Sequence, residues 1–100
     1  MSVIIITKVP GDTAKFRQSL TDRSAEYVKI AESARSAGAI RHRFGIGDGF
    51  VLVVDEWGSP EQFQQFFGDP ELQEFIGSVG GAPVPPEVIV CEAVPSADQF

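Results

Sequence analysis

The single histidine of the chain, His42, lies in a stretch that predicts a β-strand, and Asp55 lies in the next predicted strand. Between them stands Gly47-Asp48-Gly49, in which Asp48-Gly49 suits a two-residue type I′ turn. With Gly47 paired to Phe50, the antiparallel register places His42 opposite Asp55 on the same face of the sheet. A carboxylate beside an imidazole orients the ring and favours its protonated form, as a general base requires. His42 and Asp55 are therefore the candidate catalytic residues.

Two alternatives to catalysis by this pair remain open. His42 and Asp55 can form a cross-strand ion pair that only satisfies a half-buried histidine. A three-residue loop would instead set His42 opposite Val54, because a shift of one residue moves each side chain to the other face. Arg41 and Arg43 add positive charge on the same strand, but alternation directs their side chains away from His42.

Aromatic residues are dense for this length, at 10% of 100 residues. Planar side chains packed between helices and a small sheet can leave a slot for a flat, mainly apolar ligand. The candidate ligand-binding residues are Phe16, Tyr27, Phe44, Trp57, Phe63 and Phe66. Tyr27 and Trp57 can each offer a hydrogen bond to a polar substituent. The alternative is that these residues form the core, as aromatic residues at helical spacing usually do.

Other chemistries are poorly supported by the residue types. One histidine and one cysteine on different strands fall short of a zinc set, so the sequence predicts neither a metal site nor a cofactor. A nucleophilic serine triad is also unsupported, because no serine stands between glycines at a strand-to-helix turn. Ser59 is better explained as a helix cap. The glycines at 47 and 49 precede a strand, whereas a phosphate-binding loop must open a helix.

Composition and charge narrow the class of protein. Hydrophobic residues make up 43% and charged residues 22%, which is typical of a globular chain, and residues 1–100 are expected to form a single domain. The formal net charge is −6 without a basic stripe, so neither nucleic acid nor an anionic membrane is an expected partner. The longest apolar run, Val3–Ile6, is too short to span a membrane, and no signal-peptide pattern is visible. We expect a cytoplasmic location.

Hydrophobic periodicity predicts the element order β-α-β-β-α-β, which is that of a ferredoxin-like α+β fold with an antiparallel sheet. In chain order the predicted elements are a strand at 3–9, a helix from Asp12 to about Ser36 that can break near Ser19 to Asp22, strands at 39–46 and 50–57, helical segments starting at Ser59 and Asp69, and a strand at 87–94. Cys91 is expected to behave as a small hydrophobic residue in a buried strand.

The predicted strands are apolar on both faces, which points to a partner. In the third strand, Leu52 and Val54 alternate with Val51 and Val53. Helices on one side leave the other face uncovered, and such a patch exceeds what a monomer usually exposes. The tail from Ser96 is too short to cover four strands, so a second copy, packed sheet against sheet, is the expected partner.

The strand Val51–Trp57 runs directly into Ser59-Pro60-Glu61-Gln62-Phe63 and then Asp69-Pro70-Glu71-Leu72. This succession resembles the antibiotic-biosynthesis-monooxygenase-like (ABM-like) branch of the dimeric α/β-barrel superfamily, over roughly Ile4 to Val94. The resemblance implies a ferredoxin-like domain that dimerises into an α/β barrel.

For activity, the resemblance implies cofactor-independent oxidation of an aromatic phenol or quinol among several chemistries of the superfamily. Haem-degrading members of the superfamily use a histidine on the helix after the third strand, together with an asparagine. This chain has no asparagine and no histidine on that helix, so haem degradation is disfavoured. The alternatives are a non-catalytic module that binds a small flat apolar ligand, and a purely structural homodimer.

Overall fold

The computed structural model describes residues 1–100, with four strands and four helices in the order β-α-α-β-β-α-α-β. The elements are β1 (Val3–Pro10), α1 (Thr13–Asp22), α2 (Ser24–Ala37), β2 (Ala39–Gly47), β3 (Phe50–Trp57), α3 (Pro60–Phe67), α4 (Pro70–Ser78) and β4 (Glu87–Glu92). All strand pairs are antiparallel, in the spatial order β2-β3-β1-β4. The ferredoxin-like α+β prediction is confirmed, and so is the prediction of two helical segments after the third strand.

Side-chain caps explain where three helices begin. Asp12 accepts a hydrogen bond from the Lys15 amide, Ser59 from the Gln62 amide, and Asp69 from the Glu71 amide. The first helical region breaks at Arg23, one residue beyond the predicted stretch, and no side chain caps α2 there. Arg23 instead bonds Glu26 and the Ser78 hydroxyl, which ties the break to the end of α4.

The hairpin of β2 and β3 has the predicted register. Gly47 pairs with Phe50 and His42 pairs with Asp55, and a bulge follows Ala39. The predicted type I′ turn is wrong, because that turn needs positive φ at both central residues and only Gly49, at φ 80°, has it. A two-residue loop of another type therefore preserves the same strand pairing.

The core lies between the helices and one face of the sheet. It has two clusters, one around Ile5, Trp57 and Phe63 and the other around Phe16, Val51 and Val79. Every residue of β4 is exposed, because this edge strand lies beyond the helical layer. Cys91 is therefore exposed in the single chain, where the sequence predicted a buried strand; it pairs with Ile4 and lies on the face of the sheet away from the helices.

The opposite face of the sheet, here called the open face, carries no helix. Ile6 pairs with Val54 on one side and with Ile89 on the other, so one apolar row crosses three strands. Ile4, Val54 and Ile89 on this face are 38%, 38% and 47% exposed. The predicted apolar second face is thus present. None of the helices has the length and apolarity that crossing a bilayer requires.

Candidate functional site

The strand pairing brings His42 and Asp55 into direct contact. His42 Nδ1 lies 2.7 Å from Asp55 Oδ1, and the Trp57 indole donates its N–H to Asp55 Oδ2 at 3.2 Å. An ionised carboxylate only accepts hydrogen bonds, so this arrangement assigns the hydrogen to Nδ1 of a neutral His42. Nε2 is then left with a free lone pair.

Burial differs sharply within this group. The Asp55 side chain is 11% exposed and the His42 side chain 43%, while Trp57 as a residue is 1% exposed. Asp55 and Trp57 are thus largely buried and support the His42 ring from below, while solvent or a ligand can reach that ring. The indole hydrogen of Trp57 is already used, which leaves this side chain no donor for a ligand.

Phe44 joins this group to the aromatic residues of the first helices. Its ring lies 4.6 Å from the His42 ring, 5.0 Å from Phe16 and 5.9 Å from Tyr27, in each case edge to face. Tyr27 in turn contacts Phe75 of α4 at 5.1 Å. Edge-to-face contacts of this kind favour fixed ring positions over loose packing.

A second aromatic group, on α3, packs against Trp57 and also lines the cavity. Phe63 and Phe66 lie 5.8 Å and 5.4 Å from the Trp57 ring, and Phe63 stacks on Phe67 at 5.2 Å. The Pro60 start and the Ser59 cap place these residues on the side of α3 that faces the sheet.

Between helices and sheet lies a cavity of about 740 Å³, within the usual range for small-molecule sites. Twenty of its 30 lining residues are hydrophobic, and the lining includes all eight candidate residues. They are His42, Asp55, Phe16, Tyr27, Phe44, Trp57, Phe63 and Phe66. Phe16, Trp57 and Phe63 are also buried core residues, so the core and ligand-box interpretations of the aromatic set both apply.

Several lining residues are not predicted by the sequence. Val28 on α2 is 58% exposed at the cavity, and Val79, Gly80 and Gly81 line it from the loop after α4. Val28 follows Tyr27 directly, off the stripe of residues at spacings of three and four, so periodicity alone gives no signal for it. The loop residues lie close to the cavity because Gly11 and Gly81, which are distant in sequence, form a β-bridge.

Tyr27 is held through its hydroxyl. Tyr27 Oη lies 2.7 Å from Ser19 Oγ, and Ser19 Oγ donates to the Phe16 carbonyl at 2.6 Å. Burial raises the pKa of the Tyr27 hydroxyl above its ordinary value. The phenol is therefore neutral at neutral pH.

Besides Asp55, the charged residues that line the cavity are Asp12, Arg35, Arg41 and Arg43. Arg41 pairs with Glu56 at 3.5 Å on the open face, directed away from His42 as predicted. No three histidine, cysteine, aspartate or glutamate side chains lie together in a way that could hold a metal ion. Among the candidate residues, the hydrogen-bonded polar groups of the cavity wall are the His42–Asp55 pair and the Tyr27 hydroxyl.

This fold is that of the antibiotic-biosynthesis-monooxygenase domain, as comparison with solved structures shows and as the sequence resemblance implied. The monooxygenase ActVA-Orf6 of Streptomyces coelicolor, solved with nanaomycin D, superposes with a TM-score of 0.68 at 20% identity over 99% of this chain and 93% of that chain. The cofactor-independent oxygenase SnoaB of Streptomyces nogalater gives a TM-score of 0.63 at 12% identity, over 98% of each chain.

Rv0793 of Mycobacterium tuberculosis gives a TM-score of 0.61 at 15% identity, over 98% of this chain and all of that one. No family model matches the chain, and no curated protein matches it. At these identities the comparisons establish the fold, and the chemistry must be argued from the site.

Proposed function

We propose that this protein oxidises an aromatic phenol or quinol with O₂, without a bound cofactor, in the cavity between helices and sheet. The observation that carries this proposal is the His42–Asp55 contact of 2.7 Å at the wall of a largely apolar cavity. It supplies one oriented base in a space suited to a flat aromatic molecule.

The first step is removal of the phenolic proton. His42 Nε2 accepts it while Nδ1–H stays bonded to Asp55, so the positive charge that forms on the ring faces a carboxylate. Trp57 holds the other oxygen of Asp55 and thereby fixes the carboxylate in this orientation. Asp55 and Trp57 are positioning residues in this scheme, and His42 is the group that contacts the substrate.

The second step is oxidation of the phenolate, with O₂ as the named co-reactant. The electron-rich anion transfers one electron to O₂, and recombination of the aryloxyl radical with superoxide forms a carbon–oxygen bond. The proton held by His42 completes a hydroperoxide, which loses water to leave the quinone. One phenol and one O₂ thus give one quinone and one water, and His42 returns to its neutral form.

The names of the fold neighbours agree with this chemistry. SnoaB is described as a cofactor-independent oxygenase, and ActVA-Orf6 as a monooxygenase. At 12% and 20% identity these names support the class of reaction and leave the substrate to be found by experiment.

Oxygen uptake by purified, metal-free protein over a panel of hydroquinones and polycyclic phenols tests the proposal. We expect consumption of one O₂ for each quinone formed, above the rate of autoxidation in buffer. Quenching of Trp57 fluorescence, from the only tryptophan, measures binding in the same samples. Binding without any turnover would overturn the enzyme proposal in favour of a non-catalytic ligand-binding module.

We further propose that the protein is a homodimer joined through the open faces of its sheets, as in a dimeric α/β barrel. The support is the apolar row of Val54, Ile6 and Ile89, of which Val54 and Ile89 are 38% and 47% exposed. A second copy would remove this surface from water, which contributes roughly 25 cal/mol for each Å² of apolar area buried.

A further inference from the structure

Tyr27 and Ser19 form a hydrogen-bonded chain whose direction can be deduced. Ser19 Oγ lies 2.6 Å from the Phe16 carbonyl oxygen, which can only accept, so the single hydroxyl hydrogen of Ser19 is donated there. Tyr27 Oη lies 2.7 Å from the same Ser19 oxygen and must therefore be the donor to it. Tyr27 has then used its only hydrogen, and its oxygen keeps a lone pair.

This direction changes what Tyr27 can offer to a ligand. The sequence alone predicts that Tyr27 donates a hydrogen bond, whereas the bonding leaves it an acceptor. The free Nε2 of His42 is also an acceptor, and both rings contact Phe44, Tyr27 at 5.9 Å and His42 at 4.6 Å. Two acceptors thus lie on cavity-lining side chains that both contact the Phe44 ring.

We infer that Tyr27 is a specificity-determining residue, fixed by Ser19 as an acceptor, that binds a second hydroxyl of an aromatic ligand whose first hydroxyl is bound by His42. The cavity then favours an aromatic diol over its monomethyl ether. This inference rests on the proposed function only in taking the cavity to bind a phenol. Burial raises the pKa of Tyr27, which keeps its oxygen neutral and so compatible with an uncharged hydroxyl.

Anaerobic titrations that follow Trp57 fluorescence test this with naphthol, the dihydroxynaphthalene isomers, and the monomethyl ethers of the isomer that binds best. In the wild type we expect at least one diol to bind about fivefold more tightly than naphthol, the equivalent of one hydrogen bond of ~1 kcal/mol. In Tyr27→Phe this advantage of the diol should disappear, while naphthol keeps its affinity.

Ser19→Ala provides a matched test of direction. It removes the acceptor for the Tyr27 hydrogen, so the freed hydroxyl can donate to an ether oxygen as well as accept from a phenol. The preference for the diol over its ethers should shrink in this variant. If Ser19→Ala acted only through lost packing, it would weaken the binding of the diol and of its ethers equally. That result would contradict the inference.

The inference is overturned if no diol binds more tightly than naphthol to the wild type, if the advantage persists in Tyr27→Phe, or if no naphthol binds at all. These are binding measurements without O₂. The predicted pattern in a protein that consumes no oxygen would refute the oxidation and leave the role of Tyr27 standing, whereas turnover without the pattern would refute the role of Tyr27 alone.

Discussion

Asp55 organises the candidate site because each of its two oxygens has a different partner. His42 holds one oxygen at 2.7 Å and Trp57 holds the other at 3.2 Å, and the carboxylate is almost fully buried. Hydrogen bonds to a charged, buried acceptor are stronger than those between neutral groups. The orientation of the His42 ring is therefore set by groups that a ligand does not displace.

At the scale of single residues, the Tyr27 hydroxyl leads to a prediction about stability at alkaline pH. Its pKa lies above the ordinary value of 10.0 in the folded protein, mainly because of burial. The unfolded chain therefore loses the phenolic proton first as pH rises, and the folded state loses stability between 10.0 and the higher folded value. Below 10.0 this contribution to stability is fully present.

The measurement is simple because Tyr27 is the only tyrosine. The ultraviolet absorbance of the phenolate should appear at higher pH in native than in urea-unfolded protein. In Tyr27→Phe, the free energy of unfolding should fall less steeply above pH 10.0 than in the wild type. Coincident native and unfolded titrations would contradict the assignment.

At the scale of elements, one end of the cavity depends on close approach of two backbone segments. The Gly11 and Asp12 region after β1 meets Gly80 and Gly81 after α4, where the Asp12 amide donates to the Gly80 carbonyl at 2.9 Å. Gly80 has φ 111°, a conformation that favours glycine. This contact brings the loop after α4 against the cavity.

A pair of glycine substitutions tests that contact. A Cβ at Gly11 would overlap the Gly80 carbonyl oxygen, so Gly11→Ala should destabilise the fold by about 1–3 kcal/mol, as overpacking does. At Gly77, within α4, no atom lies within 4 Å of the position that an added methyl group would take, and φ is not positive. Gly77→Ala should therefore stabilise the fold by about 0.5–1 kcal/mol through helix propensity.

Urea unfolding followed by Trp57 fluorescence gives both values under one condition. If Gly11→Ala is as stable as the wild type, the close approach of the two segments is wrong. The Gly77→Ala variant controls for any general effect of replacing glycine.

The sequence predicts a feature of the fold when the residues that determine it are close together in the chain. The caps at Asp12, Ser59 and Asp69 lie beside the helices they begin, and the short turn fixes the His42–Asp55 register. The exposure of Cys91 depends on which strand is at the edge, which local patterns do not reveal. The Trp57–Asp55 and Tyr27–Ser19 hydrogen bonds require side-chain positions that residue spacing leaves open.

For the whole molecule, the two faces of the sheet serve different purposes. The face under the helices carries His42, Asp55 and the cavity floor, while the open face carries the apolar row around Ile6. The structure therefore places the apolar residues Ile4 and Val53 on different faces of the sheet. Val53 lines the cavity, whereas Ile4 is 38% exposed on the open face.

A charge on the open face should therefore disrupt the proposed dimer. Light scattering coupled to size exclusion should give about twice the chain mass of 10.8 kDa for the wild type and a lower mass or insoluble protein for Ile4→Lys, since burying an unpaired charge is costly. Val84→Lys, at a loop residue that is 52% exposed, is the matched control and should remain dimeric. A wild-type mass near 10.8 kDa at all concentrations would refute the dimer.

The proposal that His42 is the base for oxidation of a phenol by O₂ is tested by the turnover rate of His42→Ala, measured by oxygen uptake with metal-free protein. Because base assistance is typically worth about 10²–10⁴ in rate, we expect kcat to fall by that factor while ligand binding, followed by Trp57 fluorescence, weakens only about fivefold, the equivalent of the one hydrogen bond of ~1 kcal/mol that His42 makes to the ligand. Lys29→Ala, an exposed residue outside the cavity lining, should retain the wild-type rate. Oxidation by His42→Ala at the wild-type rate would show that His42 is not the base.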